Sequence, residues 1–248
     1  MSLIVEPMRD LGITRVSRWI FNCYIIHQGD GGPVVVDAGL PGIDDDLAPI
    51  LRDLPGSLQA VVATHAHSDH VAGAPQLAQR HGAPIHLPAP ALAYLGGEPP
   101  RTPTPAKVAS IWPVLPDQPF DVRGAVGLLR GTHMAGFGLS GGMRWFGPRP
   151  EWGLIDGQSL PGAPAWTVLS TSGHTDDSIA FWNETTRTLI SGDAVVSARG
   201  RAWHTPEVVD TEKARATAAR LQGLPVAHLL PGHGRPVHAE PVWERLRE

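Results

Sequence analysis

Apolar residues along the chain gather in short runs, each closed by glycine, proline or a small polar cluster. Runs rich in Val and Ile read as strands at 19–27 and 33–37, with Gly29-Asp30-Gly31-Gly32 between them as a hairpin signal. Further strand-like runs cover 58–64, 83–87, 165–171, 178–182, 188–191 and 226–230. Helical patterns fall at 44–54, 69–81, 211–221 and 240–248. The first of these opens on acids, which the helix dipole favours, although Pro49 interrupts it, and the second closes at Gly82. Between 98 and 164 proline and glycine are dense and no period dominates, so the pattern assigns no elements there. Strands open each half and strand–helix alternation follows. That order predicts an α/β architecture of two packed sheets with helices outside, with chemistry on the loops at strand ends. No repeat or linker divides the chain, so residues 1–248 are expected to form a single domain.

Composition agrees with a packed enzyme-sized domain. The 248 residues are 42% hydrophobic, enough for a sizeable core. Twenty basic against twenty-four acidic residues leave a charge of −4, and no basic stretch stands out, which argues against a nucleic-acid partner. Cys23 is the sole cysteine, so no intrachain disulfide forms, and its apolar surroundings suit a buried small hydrophobe. The N-terminus lacks the basic and apolar regions of a signal peptide, and no uncharged apolar run approaches membrane-spanning length. A cytoplasmic protein without membrane association is expected.

The chemistry concentrates in Thr64-His65-Ala66-His67-Ser68-Asp69-His70. This segment leaves a buried strand and enters a helix. His65 and His67, two apart in an extended turn, can face one point, while Asp69 and His70 can turn toward a neighbouring one. Imidazole nitrogens and carboxylate oxygens suit zinc, and also iron or manganese. Three later segments, Ser172-Gly173-His174-Thr175, Ser191-Gly192-Asp193 and Pro231-Gly232-His233-Gly234, each follow an apolar run and use glycine to turn sharply behind one potential ligand.

Together these motifs resemble the metallo-β-lactamase superfamily, most closely its hydrolytic branch containing glyoxalase II and the acyl-homoserine lactonases. The resemblance runs from Asp37 to His233 and implies a four-layer αββα sandwich. It implies His65, His67 and His174 as ligands of one metal, Asp69, His70 and His233 as ligands of a second, and Asp193 as the carboxylate bridging both. Asp37 then braces the ligand loop, or is simply a turn former. Two Zn2+ ions, with iron or manganese as alternatives, would share a bridging hydroxide that cleaves a small ester, lactone or thioester, and Asp69 would also relay a proton.

Departures from the family narrow the substrate. Only fifteen residues follow His233, too few for the helical glutathione-binding domain of glyoxalase II. The bridging Asp193 argues against a class B β-lactamase. The lactonases' pocket tyrosine is missing from Gly200-Arg201-Ala202-Trp203-His204-Thr205, where His204 is either a substitute hydrogen-bond donor to substrate or a surface histidine. The competing reading is a mononuclear iron oxidoreductase of the persulfide dioxygenase type, held by His65 or His67 with His174 and Asp193. The Gly-Arg-Thr-Asp run typical of those enzymes is absent. A third reading is a metal-binding protein without catalysis. The Gly- and aromatic-rich stretch 131–152, with Met134, Phe137, Leu139, Met143, Trp145, Phe146 and Trp152, forms a lid for an apolar acyl group, a homodimer contact or satellite core. His133 within it reads as a loop histidine. The partner expected throughout is a small-molecule substrate.

Overall fold

The computed structural model describes residues 3–27, 31–138, 142–150 and 152–247. Gly29 and Asp30 of the expected hairpin turn, Leu139 of the aromatic stretch and Glu248 of the expected terminal helix lie outside them. In chain order, β1 (Leu3–Met8), β2 (Ile13–Arg18), β3 (Phe21–Ile26) and β4 (Val34–Val36) form an antiparallel meander. Helix α1 (Ile43–Asp53) leads to β5 (Ala60–Val62), parallel to β4. Helices α2 (Ser68–Val71) and α3 (Ala74–His81) lead to β6 (Ile85–Pro88), parallel to β5. Next come α4 (Ala89–Leu95), α5 (Pro105–Ala109), a 3-10 turn at Trp112–Val114, α6 (Val122–Gly131) and a small hairpin of β7 (Ala135–Gly136) with β8 (Arg144–Trp145). Strand β9 (Trp152–Leu154) then joins β6 in parallel. The second half opens with β10 (Ser159–Leu160), β11 (Ala163–Ser170), β12 (Ile179–Asn183) and β13 (Thr188–Gly192), again antiparallel. A hairpin of β14 (Val195–Ala198) and β15 (Arg201–His204) and helix α7 (Thr211–Gln222) precede β16 (His228–Pro231), parallel to β13, and the edge strand β17 (Val237–His238). Among the described residues this gives a seven-stranded sheet ordered β1-β2-β3-β4-β5-β6-β9 and a six-stranded sheet ordered β10-β11-β12-β13-β16-β17.

The two-residue period of the strands explains the layering. Tyr24, Ile26, Val34, Val36 and Val62 of the first sheet share one core with Leu154, Trp166, Val168, Phe181, Ile190 and Leu230. Their sequence neighbours Cys23, Ile25, Val35 and Val61 face the other way, into a second core with Leu47 and Leu51 of α1 and Leu77 of α3. Ala180, Trp182, Leu189 and Leu229 likewise face a third core containing Leu221 of α7. The result is a four-layer αββα sandwich. Strands buried on both faces must be apolar at every position, which is why they appear in the sequence as continuous rather than alternating runs. No helix among the described residues is long and apolar enough to cross a membrane.

Two expected helices come out differently. The pattern at 69–81 breaks between α2 and α3, because Gly73 docks on the loop after β4. Its N–H donates to the Ala38 carbonyl at 2.8 Å, and a Cβ there would lie 2.4 Å from the Leu40 carbonyl oxygen. At the C-terminus the expected helix is only a 3-10 turn, Val242–Arg245. Its backbone is drawn off the helical path by other elements, with Val242 N–H donating to Val226 O and Arg247 N–H to Ala202 O.

Helix α6 explains why the 98–164 region carries no readable period. Its buried residues are Gly124, Gly127 and Gly131, while Val122 and Leu129 are exposed, so the apolar pattern marks the wrong face. The glycines let the helix lie against Arg18, Leu40 and Ala72. Gly127→Leu is therefore expected to lower the unfolding free energy by about 1–3 kcal/mol through overpacking. Val122→Gln, on the exposed face, should stay within about 0.5 kcal/mol of wild type. Urea unfolding of the two variants measures both, and the reverse ranking would contradict the orientation of α6.

Candidate metal centre

Parallel pairing delivers the chemical side chains to one edge of the sandwich. In the first sheet Val36 lies opposite Val62, so Asp37 and Thr64 emerge together. In the second sheet Gly192 lies opposite Pro231, so Asp193 and His233 do the same. The sheets are tied at this edge by Asn22, whose side-chain amide donates to the carbonyls of Pro231 and Gly234 at 2.8 and 2.7 Å, and by the Ile179 N–H donating to Thr64 O at 2.8 Å.

The structure brings all seven predicted ligand residues together. His65 Nε2 lies 3.1 Å from His67 Nδ1, which is 3.2 Å from His174 Nε2. Beside this trio, His233 Nε2 lies 3.4 Å from His70 Nε2 and 3.3 Å from Asp69 Oδ2. Asp193 stands between the groups, with Oδ2 3.5 Å from His174 Nε2 and 3.2 Å from His233 Nε2, and Oδ1 3.5 Å from His70 Nε2. Separations of this size are what ligands of one cation adopt when each sits about 2.0–2.2 Å from it.

Hydrogen bonds behind the histidines set which nitrogen faces the cleft. The Nδ1–H of His174 donates to the Glu207 carbonyl at 2.6 Å, that of His233 to the Ile20 carbonyl at 3.1 Å, and that of His70 to Asp37 Oδ2 at 3.0 Å. These partners only accept, so Nδ1 carries the proton and Nε2 points inward in all three. Thr64 Oγ1 donates to Asp37 Oδ2 at 2.8 Å and accepts from His65 Nδ1–H at 3.2 Å, which fixes His65 in the same way. Asp37 also accepts the Thr64 N–H at 2.7 Å, so it braces the ligand loop as well as turning the chain at φ 58°.

Burial and charge divide the seven residues by protonation. Burial lowers His65, His67 and His174, taking His67 down to about 3, so all three are neutral. Burial opposes charge on His233 as well, yet Asp193 and Asp69 outweigh it and raise His233 to about 10. Burial alone would raise Asp193, but His233 and His70 hold it well below the usual carboxylate range. The carboxylates thus have the charge to compensate either imidazolium protons or bound cations.

Two further observations test the fit to metal. Asp193 Oδ1 is buried and has no hydrogen-bond partner. A Cβ on Gly232 would lie 2.4 Å from that oxygen and 2.7 Å from His70 Cε1, so glycine keeps the space beside them open. The neutral imidazoles, the carboxylates and this open cradle fit a divalent cation pair.

A cavity of about 540 Å³ opens above the centre. His67, Asp69, Asp193 and His233 form its floor, and Trp19, Ile20, Phe21, Val108, Ile111, Trp112, Leu115, Leu128 and Leu129 its walls. The walls thus come largely from the region the sequence left unassigned. Of the aromatic stretch, Phe137 and Gly138 reach the cavity. Met143 and Trp145 pack instead against the outer core, while Phe146 and Trp152 are exposed. His204 does not line the cavity. It stacks on Trp243 with ring centroids 6.0 Å apart and its Nε2 meets the Gln222 side chain, because the β14–β15 hairpin turns it toward α7. His133 pairs with Arg144 at the surface.

Sequence reasoning missed two carboxylates here. Glu207 lines the cavity, and burial together with the charges of Asp193 and Asp69 pushes it up to about 8, so its carboxyl faces the same floor. Asp177 accepts the Ala66 N–H at 2.8 Å, pinning the ligand loop between His65 and His67. Neither residue belongs to a metal-ligand spacing, and Asp177 follows another aspartate, so nothing in the sequence singles them out.

The sequence model of the metallo-beta-lactamase superfamily matches residues 18–233. The chain belongs to that superfamily. A similar member is the probable metallo-hydrolase YflN of Bacillus subtilis (strain 168), 26% identical over 239 residues that span 87% of this chain and 80% of that protein. The uncharacterized protein YobT of the same strain is 26% identical over 238 residues, 92% of this chain and 88% of that one. Among solved structures, the metallo-beta-lactamase family protein TTHA1429 from Thermus thermophilus shares the fold with a TM-score of 0.58 and 21% identity, covering 98% of this chain and 76% of that one. The di-iron-bound form of TTHA1623 does so with a TM-score of 0.57 and 22% identity, covering 96% and 94%. Within this superfamily fold the candidate ligands of the present chain stand at the shared edge of the two sheets.

The pH behaviour of Asp177 offers a check on the ligand loop. Burial raises its pKa to about 6, against the hydrogen bonds of Thr175 and Ala66. The folded state therefore holds this proton more tightly than the unfolded chain, and stability falls as pH rises from about 4 to about 6. In metal-free protein, the unfolding free energy of wild type relative to Asp177→Asn should fall over that interval by on the order of 3 kcal/mol. A difference that stays flat with pH would contradict the assignment.

Proposed function

We propose that this superfamily member is a dinuclear metal-dependent hydrolase that cleaves a small ester, lactone or thioester, with zinc as the resident metal and iron or manganese as substitutes. The observation that carries this reading is Asp193, whose two oxygens face both groups of ligand atoms. His65, His67 and His174 would hold one ion, Asp69, His70 and His233 the other, and Asp193 both. When bound, the ions supply an activated water and a positive charge for the oxygen of the attacked carbonyl. The protein's own contribution is positional. Asp37, Thr64 and the carbonyls of Ile20 and Glu207 hold the imidazoles in one orientation before substrate arrives. Asp69, half-buried at the cavity floor, accepts a proton at its carboxylate and returns it to the leaving group. The apolar walls exclude bulk water and strengthen these interactions.

The pattern of candidate ligands resembles that of the branch containing glyoxalase II and the acyl-homoserine lactonases, and the name of the similar protein YflN, a probable metallo-hydrolase, supports hydrolysis. The mononuclear iron reading would leave the convergence of Asp69, His70 and His233 without a purpose.

Elemental analysis of protein purified without added metal should give close to two metal ions per chain. Asp193→Asn should reduce this to about one or fewer and lower turnover on a panel of lactones and thioesters by about 100-fold. Unchanged metal content with unchanged turnover would overturn the dinuclear assignment.

A further inference from the structure

Among the described residues that line the cavity outside the candidate ligands, Glu207 is the one carboxylic acid. Glu207 is 9% exposed, and no described residue hydrogen-bonds or ion-pairs with its carboxyl group. Its backbone is already committed, the carbonyl accepting from His174 and the N–H donating to Thr205 Oγ1 at 3.3 Å. The side chain stays outside the groups of converging ligand atoms. The carboxyl lines the cavity without a partner among the described residues, so its hydrogen-bonding capacity is open to a ligand there.

The rest of the wall says what kind of ligand. Trp19, Ile111, Trp112, Leu115 and Leu129 offer apolar surface, and the described lining residues include no Lys or Arg. A carboxylate, phosphate or sulfate on the distal part of a substrate would find no cation among these walls. An apolar body carrying a hydrogen-bond donor satisfies both features.

We infer that Glu207 contacts the substrate and selects for a ligand whose apolar acyl or aryl body carries an N–H or O–H group, from which the Glu207 carboxyl accepts a hydrogen bond. The inference deepens the hydrolase reading and rests on it for the scissile bond, while ligand selection can be measured without any turnover.

Trp19 and Trp112 on the walls provide the signal. Their fluorescence is followed in zinc-loaded protein during titration with octanamide and with N,N-dimethyloctanamide, which lacks the donor. Wild type should bind octanamide about tenfold more tightly than the dimethyl amide, the scale of one hydrogen bond. Glu207→Leu should abolish that preference without loss of zinc, and Glu207→Gln, which keeps an acceptor oxygen, should restore part of it. A preference that survives in Glu207→Leu, or is absent from wild type, would overturn the inference. So would loss of zinc from Glu207→Gln, which would make the residue a ligand instead. Hydrolysis of esters with no effect of the substitutions on ligand preference would sink this inference and leave the hydrolase reading intact. The expected binding preference without hydrolysis of any ester would do the opposite.

Discussion

Asp37 is a small residue on which much of the centre hangs. It ends β4 with a backbone angle that L residues seldom adopt, φ 58°, which aspartate tolerates better than most. That turn lets one buried carboxylate accept the Thr64 N–H, the Thr64 hydroxyl and the His70 Nδ1–H. Through Thr64 it also orients His65. A charge taken out of water is costly unless its hydrogen bonds are complete, and here they bind the two most buried histidines of the ligand loop to the strand beside it. The loop is held from its other side by Asp177 through the Ala66 N–H and by β12 through Thr64 O. The scaffold thus sets the candidate ligand atoms at the separations a shared cation needs.

The cavity follows from a different constraint. The sandwich positions the ligands at its edge but supplies little to cover them. Cover comes from the 98–138 region, where α5, the Trp112–Val114 turn and α6 fold over the loop between β2 and β3. Helix α6 approaches closely enough because its packed face is glycine, and its leucines are thereby left for the cavity side. Stability and substrate contact are divided between two faces of one short helix.

What could be read in advance tracks how local the determinant is. The strands of both sheets are short apolar runs with firm turn residues, and the parallel pairs that align β4 with β5 and β13 with β16 follow from the alternation of strand and helix. The candidate ligand residues are legible because they directly follow such runs, with His174, Asp193 and His233 each placed behind a glycine. The early hairpin of β1 and β2 was not, since β2 buries Arg15 and Arg18 through partners far along the chain, Gln118 and Asp121. Helix α6 was hidden by its inverted face, and the single helix expected over 69–81 was split by a contact from Gly73 to a loop more than thirty residues earlier. Residue type leaves His204 and the aromatic stretch open between substrate and structural roles, and the fold divides them: Phe137 reaches the cavity, Met143 and Trp145 pack on the outer core, and His204 stacks on Trp243. Glu207 is the converse case, an ordinary Pro-Glu-Val in the sequence that becomes distinctive only when the fold buries it over the metal floor.

We propose that this edge of the sandwich would hold two adjacent cations, with Asp193 placed to contact both. Crystals of protein loaded with zinc, measured for anomalous scattering at the zinc edge, test it most directly. Two peaks are expected, one ringed by His65, His67 and His174 and one by Asp69, His70 and His233, each in contact with Asp193. A single peak at full occupancy, or a second one away from Asp193, would contradict it.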